Sequence, residues 1–390
     1  MEVTTRLPDP SPEQVALSRI LGTRIDAEIA RGGGFLPFDR FMDLALYAPG
    51  LGYYVAHADQ FGANGDFVTA PEISPLYGAA LAAQCALTLE ALAEGMIIEF
   101  GGGSGRMALA ILKELRRRGV WPVDYAIVEL SPALRELQRE TLSAADPAIA
   151  ACVRWWQTQP ESPTVGVVIA NEVIDALPVS VFECADNELY ECGVGKASCG
   201  FEWLLRAAPS GLAQEIALRV GPAPQSRYRS ELNLRQAVWL ADLKRFLSRG
   251  VAIIADYGYP RHEYYHPDRS EGTLQCHYRQ RVHSNVFWYP GLQDITASVD
   301  FSALAEAATT LDFEVRGYAD QASYLLSSGI TERLAELATA DALVQYRAAQ
   351  AVKTLLLPQA MGTRVKFMSL SRDYSGPISG YLVRDDRHRL

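Results

Sequence analysis

The chain has 390 residues, 49% of them apolar and 21% charged, the balance of a folded protein with a substantial core and two or three domains' worth of length. A formal charge of −10 offers no basic face and argues against nucleic acid as a partner. Six cysteines (Cys85, Cys152, Cys184, Cys192, Cys199 and Cys276) form no C-x-x-C pair, which indicates neither zinc nor a redox couple and suits buried thiols in a reducing compartment.

In chain order, residues 1–6 lack the apolar core of a signal peptide and the arginines of a transit peptide, so a cytoplasmic protein is expected. Residues 11–31 read as an amphipathic helix, with Val15, Leu17, Ile20, Leu21, Ile25 and Ile29 on its apolar side and Gly32, Gly33 and Gly34 as its stop. A second short helix covers 37–46, and a tyrosine-crowded turn follows at 47–54. Residues 65–75 are too polar and too interrupted by proline for a core element. They are expected to form a lid, with Asp66 over a cofactor and Glu72 towards a substrate. Residues 76–100 are mostly apolar but carry Gln84, Glu90 and Glu94. That stretch reads as a buried helix running into a strand, not a membrane span.

The strand 96–100 feeds a glycine-rich turn and then a helix with apolar Met107, Leu109, Ala110, Leu112 and Leu115. The turn is not the dinucleotide fingerprint G-x-G-x-x-G, because the sixth position from Gly101 is Arg106. It is E-x-G-x-G-x-G, formed by Glu99, Gly101, Gly103 and Gly105, the pattern of class I methyltransferases that bind S-adenosylmethionine (SAM). A carboxylate suits the ammonium of that ligand, and open glycine backbone with free helix N–H groups suits its carboxylate and ribose. Gly102 carries no expectation of its own.

A second apolar strand, 125–128, ends at Glu129, where doubly wound folds place the acid that binds ribose hydroxyls. Leu130 stands beside it, and Ser131 with Pro132 opens the next helix. After a further strand, Trp156 and Gln157 are candidates for the adenine, since an aromatic face can stack on a base; core packing is the alternative. More strands are expected at 165–170, 250–257, 312–318 and 362–371, with a helix at 301–311. Strands alternating with helices give a mostly parallel sheet, with the last strand as an antiparallel edge.

The expected organisation is an N-terminal helical and lid segment (1–75), a Rossmann-like core (76–178), a β-meander insertion (179–235), the second part of the core (236–324) with a long loop at 261–291, a helical insertion (325–360) and the last core strand with the tail (361–390). His262, His266, His277 and His283 fall in the long loop. Without cysteine partners they are assigned to packing or peptide contact, and no metal is expected.

After the strand 165–170 comes Asn171-Glu172-Val173-Ile174-Asp175. Ligands of open parallel sheets bind beyond the carboxyl ends of the strands, so Asn171, Glu172 and Asp175 should sit beside the glycine turn, where a methyl group would be transferred. Paired carboxylates match the planar fork of a guanidinium. The bland alternative is that Glu172 and Asp175 cap a following helix. Asp256 ends another strand and either faces the pocket or caps its own turn.

Six stretches occur in one order: 65–74 (GDFVTAPEIS), 99–105 (EFGGGSG), 171–178 (NEVIDALP), Asp256-Tyr257-Gly258, Gly272-Thr273-Leu274 and Asp294-Ile295-Thr296. On these the chain resembles the MidA family of SAM-dependent methyltransferases, from about residue 11 to 371. The resemblance implies a class I methyltransferase fold, SAM as cofactor, SAM contacts at Glu99, Gly101, Gly103 and Glu129, and acceptor contacts at Asn171 and Glu172. For mitochondrial members it implies arginine methylation of a complex I subunit, hence a protein substrate here. Asp256 and Asp294 are further candidates for contact with that substrate. Homodimerisation through the insertions has no specific signal. A small-molecule methyltransferase, and a SAM-binding assembly protein with little turnover, stay open as rival readings; an NAD-linked oxidoreductase is disfavoured by the failed fingerprint.

Overall fold

Seven strands carry the larger part of the chain. In the computed structural model, which describes residues 7–56, 65, 68–121, 123–186, 188–221, 227–337 and 341–390, they are β1 (Met96–Phe100), β2 (Asp124–Val128), β3 (Val153–Trp156), β4 (Thr164–Asn171), β5 (Leu247–Tyr259), β6 (Glu314–Asp320) and β7 (Val365–Arg372). Their order in the sheet is β3-β2-β1-β4-β5-β7-β6. β1 to β5 pair in parallel. β7 runs antiparallel to both β5 and β6, so the last strand has the expected direction but a different place. It is inserted between β5 and β6, and β6 is the edge. Alternating polarity reports that a strand has two different faces; it carries no information about which neighbours it finds.

This unit comprises Val68–Asp175, Gln236–Pro260 and Val299–Leu390. Its apolar core lies between the sheet and helices α1 (Pro75–Leu92) and α2 (Arg106–Arg117). α1 is capped by Ser74, whose hydroxyl accepts from Leu76 N–H, and it is buried almost all round, as a helix apolar on every side must be. Gly78 lets α2 approach: a Cβ there would stand 2.7 Å from Ala110 Cβ. Gln84, the polar residue in the middle, bonds Thr88 Oγ1 and the carbonyl of Pro377 through Nε2 and accepts from Ser379 N–H. No helix among the described residues is long and apolar enough to cross a membrane. Helix α3 (Pro132–Ala145) starts on the Ser131 cap with Pro132 at its first position.

The second unit comprises Met1–Phe67, Ala176–Arg235 and Arg261–Ser298. Its first helix, Pro12–Arg31, begins with a reciprocal capping box between Ser11 and Gln14. Strands Ser180–Ala185, Glu188–Lys196 and Phe201–Ala207 make the expected meander, and Tyr228–Leu232 adds to its first strand. The stretch 261–291, expected to be a loop, contains the short helix Arg261–Tyr264 and a hairpin of Gln275–Tyr278 with Arg281–His283. Its register was hidden by polar side chains on strands only a few residues long. Buried Glu231 anchors this region, accepting from Thr273 N–H, Thr273 Oγ1 and Leu274 N–H.

Candidate functional site

The sheet topology places the site. β1 and β4 are neighbours at the point where strand order reverses, with Phe100 paired to Ala170. The turn after β1 and the tip of β4 therefore leave the sheet side by side, where open parallel sheets bind their ligands.

Gly101, Gly103 and Gly105 all take positive φ (65°, 50° and 83°), which a side chain would disfavour. A Cβ on Gly101 would find nothing nearer among the described residues than Val173 Cγ2 at 3.7 Å. That face of the turn is open to a ligand. Gly102 proves as constrained as its neighbours: a Cβ there would lie 2.7 Å from Ile127 Cγ2 and 3.1 Å from Gln138 Nε2.

Gln138 is the residue that sequence reading missed. Its Nε2 donates to the carbonyl of Gly103 (3.0 Å) and to Glu129 (3.1 Å), and its Oε1 accepts from Trp155 Nε1 (2.8 Å). It ties the glycine turn, the tip of β2 and β3 into one network. The available signal was a glutamine between Leu134 and Leu142 on the buried stripe of α3.

Glu99 is wholly buried and accepts from Tyr125 OH at 2.6 Å. Its other oxygen, Oε1, has no partner among the described residues. Burial pushes its pKa up to about 7, with the Tyr125 hydrogen bond opposing and the Glu129 charge adding. Glu129 is raised as well, by burial, against the N–H of Ser131 and Gln138 that hold it. An orphaned carboxylate oxygen beneath an open glycine turn fits the ammonium of SAM, and a fixed carboxylate at the tip of β2 fits ribose hydroxyls.

Around these, Leu130 is 53% exposed. Trp156 does not follow β3 but ends it, half-buried, its carbonyl accepting from Glu129 N–H; Gln157 follows the strand as expected and is exposed. Trp155, not Trp156, joins the Gln138 network. Glu72 bonds the hydroxyl of Ser104 and pairs with Arg106 Nε at 3.3 Å. The expected substrate contact is thus a latch between the segment before α1 and the glycine turn itself. Asp66 lies outside the described residues.

At the tip of β4 no helix follows; a turn leads to the strand Ser180–Ala185, so Glu172 and Asp175 are not helix caps. Glu172 has φ 53°, a conformation uncommon for a residue with a side chain. Its N–H bonds Ala255 O at 2.8 Å. Asp256, expected at the substrate, is fully buried, and its Oδ2 accepts from the N–H groups of Val173 (3.2 Å), Ile174 (2.8 Å) and Asp175 (3.2 Å). Its Oδ1 accepts from Tyr257 N–H at 2.9 Å. That carboxylate is occupied in holding the turn after Glu172. Asp175 is itself buried. Asn171 Nδ2 donates to Glu172 Oε1 at 3.3 Å, and Asn171 Oδ1 accepts from Tyr77 OH on α1. The charge of Glu172 also raises the pKa of Tyr77 and Tyr257, after burial.

Asp294 lies in the second unit, where it accepts from Tyr54 OH at 2.7 Å, and Tyr54 stacks on Tyr47. The tyrosine-crowded turn is organised about this acid. His277 and His283 share one hairpin, and no group of His, Cys, Asp or Glu among the described residues is arranged to hold a metal.

A parallel sheet with one antiparallel strand inserted beside its edge, opened at the β1/β4 switch by a glycine turn and faced by acids, is the architecture of a class I SAM-dependent methyltransferase. The family model described as "Putative S-adenosyl-L-methionine-dependent methyltransferase" matches residues 80–319, and the chain belongs to this family. A crystal structure of a Burkholderia thailandensis protein described as a "likely methyl transferase", bound to S-adenosyl-homocysteine (SAH), is 42% identical and superposes with a TM-score of 0.94 over 99% of this chain and 100% of that one. A native crystal structure from the same organism is 41% identical, with a TM-score of 0.91 over 99% of this chain and 100% of that one. Among curated proteins, "Protein arginine methyltransferase NDUFAF7, mitochondrial" is 28% identical in Danio rerio, covering 85% of this chain and 82% of that protein. The Homo sapiens protein of that name is also 28% identical, over 85% and 78%. The chain is a SAM-dependent methyltransferase.

Proposed function

We propose that the chain methylates arginine on a partner protein, with Asn171 and Glu172 meeting the acceptor. The observation that carries this reading is the carboxylate of Glu172, set at the tip of β4 beside the glycine turn on a left-handed backbone that Asp256 restrains. SAM, when bound, supplies an electrophilic methyl group and leaves as SAH. Glu99, Gly101, Gly103, Gly105 and Glu129 would hold it, with Leu130, Trp156 and Gln157 placed for its adenosine.

An arginine side chain is cationic at any physiological pH, and its nitrogens are poor nucleophiles while the charge is spread over all three. A carboxylate on one side draws the positive charge there and leaves the opposite nitrogen richer in electrons. Glu172 would do this, the Asn171 amide adding a hydrogen-bonding group beside it. Methyl transfer then depends on alignment and on a fixed negative charge. As the new C–N bond forms the S–CH3 bond of SAM breaks, and the methylated nitrogen gives up its proton to solvent while Glu172 keeps its hold on the opposite side.

The relatives named as arginine methyltransferases support a protein substrate, and the MidA resemblance points to a respiratory complex I-type subunit. A cytoplasmic site of action is part of the same proposal. The test is methyl transfer from labelled SAM into protein extracted from cells that lack the gene, followed by hydrolysis and identification of the labelled amino acid. Methylarginine supports the reading. Label in another residue, or only in small molecules, replaces it.

A further inference from the structure

Asn171 can present its amide in two orientations, and only one places a donor at Glu172. In the other orientation Oδ1 would face Glu172 Oε1 at the present 3.3 Å separation, with two acceptors opposed. The Glu172 carboxylate, which only accepts, selects the first orientation, and Tyr77, 94 residues earlier on α1, holds it through a hydroxyl that donates to Asn171 Oδ1.

Tyr77 is well built for this. It is completely buried, and its ring lies 6.1 Å from that of Phe367 on β7. The next residue, Gly78, brings α1 against α2 closely enough that a Cβ would stand 3.2 Å from Met107 O. The helix therefore cannot slide, and the hydroxyl is fixed as the ring is fixed. Burial and then the Glu172 charge hold the phenol well above its ordinary pKa, so it keeps the proton that it donates to Asn171.

We propose that Tyr77 is a positioning residue for methyl transfer: it holds the Asn171 amide in place, and through it one oxygen of Glu172. This rests on the reading of Glu172 as the group that meets the acceptor, so the test must separate the two.

The experiment is calorimetric titration of the full chain, saturated with SAH, with Nα-acetyl-arginine amide as probe. Wild type, Y77F, E172Q and the double variant are compared, with SAH affinity measured for each. SAH should bind wild type and Y77F within about twofold, because the Tyr77 hydroxyl bonds Asn171 and not the glycine turn. Y77F should weaken the probe about tenfold and E172Q further, while Y77F in the E172Q background should cost nothing more. Asn171→Ala also removes a group that meets the acceptor and should weaken the probe more than Y77F; Tyr77→Met, which likewise lacks the hydroxyl, serves if Y77F does not fold.

If the probe binds Y77F as it binds wild type while E172Q weakens it, Tyr77 is not a positioning residue and the acceptor reading stands. If Y77F acts equally in both backgrounds, or lowers SAH affinity in parallel, its role is merely structural and the proposal fails. If E172Q binds as tightly as wild type, or wild type does not bind the probe, the acceptor reading falls and the proposal with it.

Discussion

Asp256 gathers on one carboxylate oxygen the three backbone N–H groups that directly follow Glu172. The acid in the last part of β5 thus shapes the turn that presents the acid just after β4. Replacing it by asparagine keeps the size and one acceptor but removes the charge that three N–H donors share. Asp256→Asn is expected to lose about 2 kcal/mol of stability and to lower methyl transfer more than SAH affinity. Urea unfolding and calorimetry check both. Equal stability with unchanged turnover would mean that the turn holds itself.

Glu172 is a strained residue, with φ 53°. A glycine there relieves the left-handed backbone at the expense of the carboxylate. Glu172→Gly is expected to gain up to about 1 kcal/mol of folding stability while losing methyl transfer, a trade that marks a functional position. Thermal melts and a transfer assay run side by side decide it. A destabilised variant would show that Glu172 makes contacts that outweigh its strain.

Gly102 and Gln138 should behave as a pair. A methyl group at Gly102 would press on Ile127 and on the Gln138 amide, an overpacking that costs about 1–3 kcal/mol. Gly102→Ala and Gln138→Leu are both expected to weaken SAH binding by at least tenfold, since each uncouples Glu129 from the glycine turn. Calorimetry on the two single variants and the double variant should give losses that do not add.

Glu99 sets a pH dependence of definite sign. Burial raises it from 4.5 to about 7. Between those values the folded chain keeps a proton that the unfolded chain releases, so stability falls as pH rises through that window and levels off above it. The effect is about 3 kcal/mol at most. Glu99→Gln removes the slope, and its stability advantage over wild type should grow from pH 5 to pH 8 in urea titrations. SAH affinity should move the opposite way: in wild type it rises with pH through about 7, as Glu99 becomes the anion that the ligand's ammonium needs, while in Glu99→Gln it is weak and flat over the same range.

These cases show what the sequence carries and what it does not. Glu99, the glycines, Glu129, Asn171 and Glu172 each sit at the carboxyl end of an apolar run, and the rule for parallel sheets turns that local fact into a location. Tyr77 and Asp256 reach the same place from 94 and 81–83 residues away along the chain, and no local pattern announces such contacts. Asp256 reads either as a pocket acid or as a turn cap, because strand-end position does not say which way a carboxylate turns. Gln138 was legible in principle, as a polar residue on a buried stripe. The positive φ of Glu172 was not, since it is imposed by the neighbouring strand. The position of β7 inside the sheet, likewise, is decided by pairing with both β5 and β6 and leaves no mark in its own residues.

The most direct test of the account is a crystal structure of this chain with SAH. The account predicts the ligand's amino end at Glu99, its ribose hydroxyls at Glu129 and its sulfur facing the carboxylate of Glu172, with room between them for a methyl group and an acceptor nitrogen. A ligand seated away from the β1 turn, or a Glu172 side chain turned from the sulfur with Asn171 following it, would contradict the account.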